Sequence, residues 1–288
     1  MKNYECIVLG GGGAKGIAAV GALYYMYERG WLKNVKTYSG CSIGSIVCAL
    51  MCVGYSPLEI FAKISEFNHI PELNFTELFL KMGLVDIKKI TLFVEDLLDV
   101  KASRDITFQE LKDFYEKELF IVATKYSTKT PVYFSHKTSP NMKIIDAINM
   151  SCNIPFIFTS YEYEGDIYFD GGLCDNLPIS VIPKDFPGAL LVIMNNFESS
   201  RSSKSSLSSL KEMKETTGTQ TDLLNFITNV LSIPITTNSN KSISLLRSTD
   251  TILKLKTDVS TFAFNLNEEK KIDVFKQGYN FAMEFFNS

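Results

Sequence analysis

Cys6-Ile7-Val8-Leu9-Gly10-Gly11-Gly12-Gly13-Ala14-Lys15-Gly16 reads as a short apolar strand running into a glycine loop, and a helical run follows from Ile17 to Arg29. The order repeats at once. A strand-like segment from Val35 to Ser39 runs into Gly40-Cys41-Ser42-Ile43-Gly44, and a second helical run covers Ile43 to Val53. Strand and helix alternating in this way predict an α/β fold with a largely parallel sheet, because neighbouring parallel strands need a crossover between them. Further strands are expected at Leu119 to Thr124, Val132 to Ser135, Ile167 to Phe169 and Leu190 to Met194. The last is a continuous apolar run, suited to a strand covered on both faces. Ser56-Pro57 reads as an N-cap with proline in the first helical turn, opening a helix through Ile64, and Thr107-Phe108-Gln109-Glu110 reads as a capping box.

Working outward, the chain of 288 residues is 45% hydrophobic and 21% charged, with a net charge of -3 from 29 basic and 32 acidic side chains. That is the composition of a globular protein able to bury a core without staples. The acidic balance and the lack of a Lys/Arg stripe argue against nucleic acid as the main partner. No window reaches the roughly 20 apolar residues of a spanning helix, and Met1 to Glu5 leads directly into the first strand, so the expectation is a cytosol-like location with peripheral contact at membranes. Cys6, Cys41, Cys48, Cys52, Cys152 and Cys174 lack CxxC spacing, which speaks for buried thiols in a reducing compartment and against a zinc site.

Eight serines fall among residues 199–209, too polar a stretch to offset its own ordering entropy. The expected division is therefore a core at 4–198, a flexible excursion at 199–222, and a C-terminal strand and helices at 223–288 on the same domain. The apolar patch Leu223, Leu224, Phe226, Ile227, Val230 and Leu231 and the helically spaced Ile272, Phe275, Tyr279, Ala282 and Phe286 read as helices packed on the core. Membrane contact is the alternative for both, and also for Leu78-Phe79-Leu80-Lys81-Met82-Gly83-Leu84.

The chemistry starts at the glycine loop, whose backbone N–H groups at a helix start can hold a phosphate or a developing oxyanion. Gly11, Gly13 and Gly16 fit the dinucleotide fingerprint, yet Thr37-Tyr38-Ser39-Gly40 stands where the ribose-binding carboxylate belongs. A Walker A loop fails as well, since Lys15 is followed by Gly16. Gly40-Cys41-Ser42-Ile43-Gly44 matches G-x-S-x-G between a strand and a helix, the setting of a nucleophile elbow with Ser42 at its tip. Cys41 beside it points elsewhere and is not expected to react. A serine nucleophile needs a base, but only His69 and His136 are present, each reading as a surface residue, and neither follows in the usual triad order. The remaining candidate is Asp170 in Tyr168-Phe169-Asp170-Gly171-Gly172, a carboxylate at a strand end before two glycines. A histidine triad in an unusual order stays open beside it.

Glycine loop, G-x-S-x-G and Asp-Gly-Gly, in that order, resemble the patatin-like phospholipase family. So do Ile144-Ile145-Asp146-Ala147-Ile148 leading to Ser151 and Pro155, and Gly171-Gly172-Leu173-Cys174-Asp175-Asn176-Leu177-Pro178; the resemblance covers about Glu5 to Asn195. It implies a three-layer α/β/α sandwich in which Ser42 is the nucleophile, Asp170 its base, and the amides of Gly11, Gly12 and Gly13 the oxyanion hole. Lys15, Gly16, Gly40, Gly44, Gly171 and Gly172 complete the motifs, with Lys15 standing where members commonly carry arginine. The implied activity is hydrolysis of fatty acyl esters of lipids or phospholipids, without metal or cofactor and with transient contact to a lipid surface. Three rivals stay open: an acyltransferase on the same dyad, a non-catalytic lipid-binding module, and a nucleotide-binding oxidoreductase.

Overall fold

Side chains alternate along β1 (Cys6–Leu9): Ile7 and Leu9 enter one apolar cluster and Cys6 and Val8 another, so this strand is buried on both faces. The computed structural model that shows this describes residues 2–67, 83–195, 220–261, 263 and 265–288. Ser199 to Ser209, His69 and Leu78 to Met82 lie outside the described residues.

The other strands are β2 (Thr37–Cys41), β3 (Gly83–Val85), β4 (Glu118–Lys125), β5 (Thr130–Phe134), β6 (Phe156–Phe158), β7 (Tyr161–Tyr163), β8 (Asp166–Asp170), β9 (Leu190–Asn195) and β10 (Thr251–Leu255). In the main sheet β10, β9, β1, β2 and β4 lie side by side and parallel, while β5, β8 and β7 add antiparallel pairings. β3 and β6 pair separately. The continuous run predicted around Leu190 is a strand buried at every position, as its pattern requires.

Among the described residues the α-helices are α1 (Gly16–Glu28), α2 (Ile43–Cys52), α3 (Pro57–Glu66), α4 (Lys88–Lys101), α5 (Phe108–Tyr115), α6 (Ile144–Cys152), α7 (Gln220–Ile243) and α8 (Glu268–Asn287). Both predicted capping boxes form: Ser56 Oγ accepts from the Glu59 amide while Glu59 accepts from the Ser56 amide, and Thr107 and Glu110 repeat the exchange. The outer layers are unequal. Helices α1 to α6 and α8 pack on the cluster holding Ile7 and Leu9, with Tyr25 of α1 meeting Tyr279 and Phe286 of α8. The opposite face is covered by Leu177, Ile179 and Ile182, with Ile243 at the end of α7 packed beside them. The architecture is a three-layer α/β/α arrangement on a largely parallel sheet.

The strand register around β4 positions the candidate site. β4 pairs with β5 through Ile121 to Lys125, which occupies one of its edges. Gly40 and Cys41 of β2 pair with Ile121 and Val122, and Asp170 of β8 pairs with Ala123, so β2 and β8 share the other edge. β2 runs parallel to β4 and β8 antiparallel to it. The two strands therefore point at each other, and their C-terminal ends meet over consecutive residues of β4.

Candidate active site

Ser42 is the first residue beyond β2 and caps α2, with φ 53° and ψ −128°. A side chain in that sparsely populated region costs on the order of 1–3 kcal/mol and persists only where the surroundings enforce it. Here the Ser42 amide donates to Ser151 Oγ of α6 at 2.9 Å, and its carbonyl accepts from Ser45 Oγ at 2.6 Å and from the Ser45 amide at 2.8 Å. Gly44 permits the close seat of α2, since a Cβ there would lie 2.3 Å from the Leu9 carbonyl oxygen. The turn places Ser42 at the positive end of the α2 dipole.

Asp170 is fixed on every side. Its amide donates to the Asn153 carbonyl at 2.8 Å, its own carbonyl accepts from Thr124 Oγ1 at 3.0 Å, and its Oδ1 accepts from the Gly172 amide at 2.8 Å. Burial raises its pKa to about 6, against the opposing pull of hydrogen bonds from the Ser42 hydroxyl, the Gly172 amide and the Cys41 thiol. Desolvation wins because the charged form loses water that three donors only partly replace. The result is a carboxylate facing a serine hydroxyl and titrating close to neutrality, the range in which proton transfer is most effective.

In the glycine loop the Gly10 amide is bonded to the Ile193 carbonyl and the Gly11 amide to Asn176 Oδ1 at 3.0 Å. Gly11 was expected to donate to an oxyanion with its two neighbours, and its N–H is already committed. The amides of Gly12 and Gly13 have no partner among the described residues. Lys15 is buried in the 3-10 turn (Gly13–Lys15) that follows, and desolvation lowers its pKa.

Ser42 stands between two cavities. The larger, about 150 Å³, takes Ser42, Ile43, Ile46 and Leu50 from one face of α2, with Phe93 and Leu266 among its other walls. Eight helical residues at 1.5 Å each give that face a length of about 12 Å. The smaller, about 30 Å³, is bounded by Gly12, Gly13, Asp170 and Asn176 and by Leu231 and Ile235 of α7. The arrangement can hold an apolar chain on one side of the hydroxyl and a small polar group on the other.

Of the remaining expectations, His136 lies beside Glu118 at the start of β4, 3.7 Å from its carboxylate, and lines neither cavity. Among the described residues no cluster of three metal-ligating side chains forms, and no helix is long and apolar enough to cross a membrane. Ser151 accepts from the Ser42 amide, Asn176 from the Gly11 amide and Asn153 from the Asp170 amide, supporting roles that the sequence does not announce even though Ser151 and Asn176 stand in stretches that carry the family resemblance. α7 was also missed as a wall of the site. Asn238 accepts from the Asn176 amide and donates to the Gly172 carbonyl, Ser239 accepts from Asn176 Nδ2, and Ser242 donates to Asp175.

A family model described as patatin-like phospholipase matches residues 7–182. The "Probable lipid hydrolase 463L" of Invertebrate iridescent virus 6 is 31% identical over 189 residues, 64% of this chain and 64% of that protein. This chain thus spans just under two thirds of that relative. "Uncharacterized protein R571" of Acanthamoeba polyphaga mimivirus is 29% identical over 290 residues, 96% of this chain and 91% of the other. The crystal structure of VipD from Legionella pneumophila is similar in fold, with a TM-score of 0.58 at 17% identity over 99% of this chain and 67% of that one. The family model spans more than half of the chain, and it includes the glycine loop, the G-x-S-x-G turn and the Asp-Gly-Gly turn that converge on one point of the sheet: the chain belongs to the patatin-like phospholipase family.

Proposed function

We propose that the protein hydrolyses fatty acyl esters of lipids, with Ser42 as nucleophile and Asp170 as general base. The observation that carries this reading is the meeting of the β2 and β8 ends over Val122 and Ala123, which sets hydroxyl and carboxylate together at the side of an apolar cavity. The acyl chain lies along α2. Ser42 Oγ attacks the ester carbonyl while Asp170 takes its proton, and the oxyanion accepts from the Gly12 and Gly13 amides. Asp170 then gives the proton to the departing alcohol. In the second half a water loses a proton to Asp170 and attacks the acyl-serine; the fatty acid leaves and Ser42 Oγ recovers its hydrogen.

The pH dependence tests the assignment of the base. Only the carboxylate form of Asp170 can accept the proton, so kcat/KM for a p-nitrophenyl octanoate should rise with pH through about 6 and level off above it. An acid limb near pH 4, the range of an ordinary carboxylate, would remove Asp170 from the role.

Access to a lipid surface is assigned to the outer side of α7. Phe226, Val230 and Ile233 follow one helical face and are 57%, 46% and 64% exposed, whereas Leu231 is buried over the small cavity. Within the patch expected from Leu223 to Leu231, Phe226 and Val230 therefore face outward and Leu231 inward. The double variant Phe226→Ser, Ile233→Ser should lower hydrolysis of phospholipid vesicles at least several-fold and spare the soluble octanoate ester. Equal losses on both substrates would make these side chains part of the folding core instead.

A further inference from the structure

Cys41 occupies the variable position of the G-x-S-x-G turn and is fully buried, and it neither attacks the ester nor carries a proton in the proposed reaction. Its thiol donates to Asp170 Oδ1 at 3.7 Å, across the gap where the ends of β2 and β8 meet. The Gly172 amide donates to the same oxygen from the other side, at 2.8 Å. We propose that Cys41 is a positioning residue for the Asp170 carboxylate: with the Gly172 amide its S–H holds Oδ1 and so fixes the orientation of the carboxylate beside Ser42. The proposal rests on the reading of Asp170 as the base.

Geometry and chemistry agree on the direction of this hydrogen bond. Burial first, and the Asp170 carboxylate next, push the Cys41 thiol well above its ordinary value, so the sulfur keeps its proton and serves as a donor. An S–H bond is weak, but it acts in a site without bulk water, where each donor to the charged form counts for more. Among the described residues, the other titratable groups that act within this cluster are Cys152 of α6, which feels Asp170 and which burial also keeps protonated, and Asp175 in the turn after β8, which acts on Cys41. Neither supplies a positive charge. The ionised form of Asp170 therefore depends on its neutral donors, the Ser42 hydroxyl, the Gly172 amide and the Cys41 thiol.

Removing one donor to the carboxylate should raise the pKa at which Asp170 ionises. In Cys41→Ala the acid limb of kcat/KM on p-nitrophenyl octanoate should move upward by roughly half a pH unit, as expected for a weak hydrogen bond, with a loss of orientation showing as a lower plateau in kcat. Cys41→Ser keeps a donor and should return the limb to within roughly a fifth of a unit of wild type. The wild-type limb near 6 and an inactive Asp170→Asn test the base itself. If those hold while Cys41→Ala folds with an unshifted limb, the positioning role is overturned and the base assignment stands. If Cys41→Ala does not fold, the serine variant decides: a limb displaced upward in spite of its hydroxyl would contradict the proposal. If the wild-type limb is absent, the failure lies with the base and not with Cys41.

Discussion

Ser42→Ala and Asp170→Asn are each expected to lower kcat/KM on a soluble ester by about 10⁴-fold or more, and the double variant to be little worse than either. Nucleophile and base act as one unit: without the base the hydroxyl is a poor nucleophile, and without the hydroxyl the base has no proton to take. The fold should survive both changes. Ser42 is held through its backbone by Ser151 and Ser45, and those bonds do not involve its side chain. Asp170→Asn removes a buried carboxylate that burial already disfavours, so at pH 7 it should melt no lower than wild type. Steady-state kinetics with thermal melts checks both parts. Near wild-type turnover in Asp170→Asn would exclude the dyad, and a fall in melting temperature matching the fall in activity would reduce Asp170 to a structural role.

Gly12→Ala is expected to have the second largest effect. The glycine loop works through its backbone, and a Cβ on Gly12 would lie 2.5 Å from Asn195 Nδ2 and 2.8 Å from Asn195 Cβ. Asn195 is buried at the end of β9 and bonded to the Gly11 carbonyl, so the loop has to give way. On the proposed mechanism, that displaces the Gly12 and Gly13 amides from the place where the ester oxygen becomes an oxyanion. Loss of one such donor costs about 10²–10³-fold in kcat. Since the oxyanion exists only in the transition state, KM should change little by comparison. A variant that melts like wild type and keeps its kcat would show that the loop is not the oxyanion hole.

The parts of this account written locally were legible in the sequence. Gly40 to Gly44 between a strand and a helix, the caps at Ser56 and Thr107, and the apolar run at Leu190 each depend on neighbours a few residues away. The meeting of Ser42 with Asp170 is of another kind. It arises because β2 and β8, more than a hundred residues apart, share one edge of β4, and no spacing in the chain encodes a register. The same holds for Gly11, whose amide is taken by a side chain 165 residues away. The strands β3, β6 and β7 are three residues each, too short to show a period. In α7 the stretch Pro234-Ile235-Thr236-Thr237-Asn238-Ser239 has poor helix propensity and Pro234 lies inside the helix. Asn238, Ser239 and Ser242 nevertheless bind the turn after β8, a tertiary gain that outweighs local preference.

The proposed mechanism requires the geometry at the end of β2 to activate one serine out of the many in the chain. Labelling the folded protein with a fluorophosphonate probe, which reacts with activated serine hydroxyls, and mapping the adduct by peptide mass spectrometry tests it most directly. A single adduct is expected on Ser42, absent in Ser42→Ala, strongly slowed in Asp170→Asn, and forming faster as the pH rises through about 6. Folded protein that takes no label, or an adduct on another residue such as Ser45 or Ser151, would contradict it.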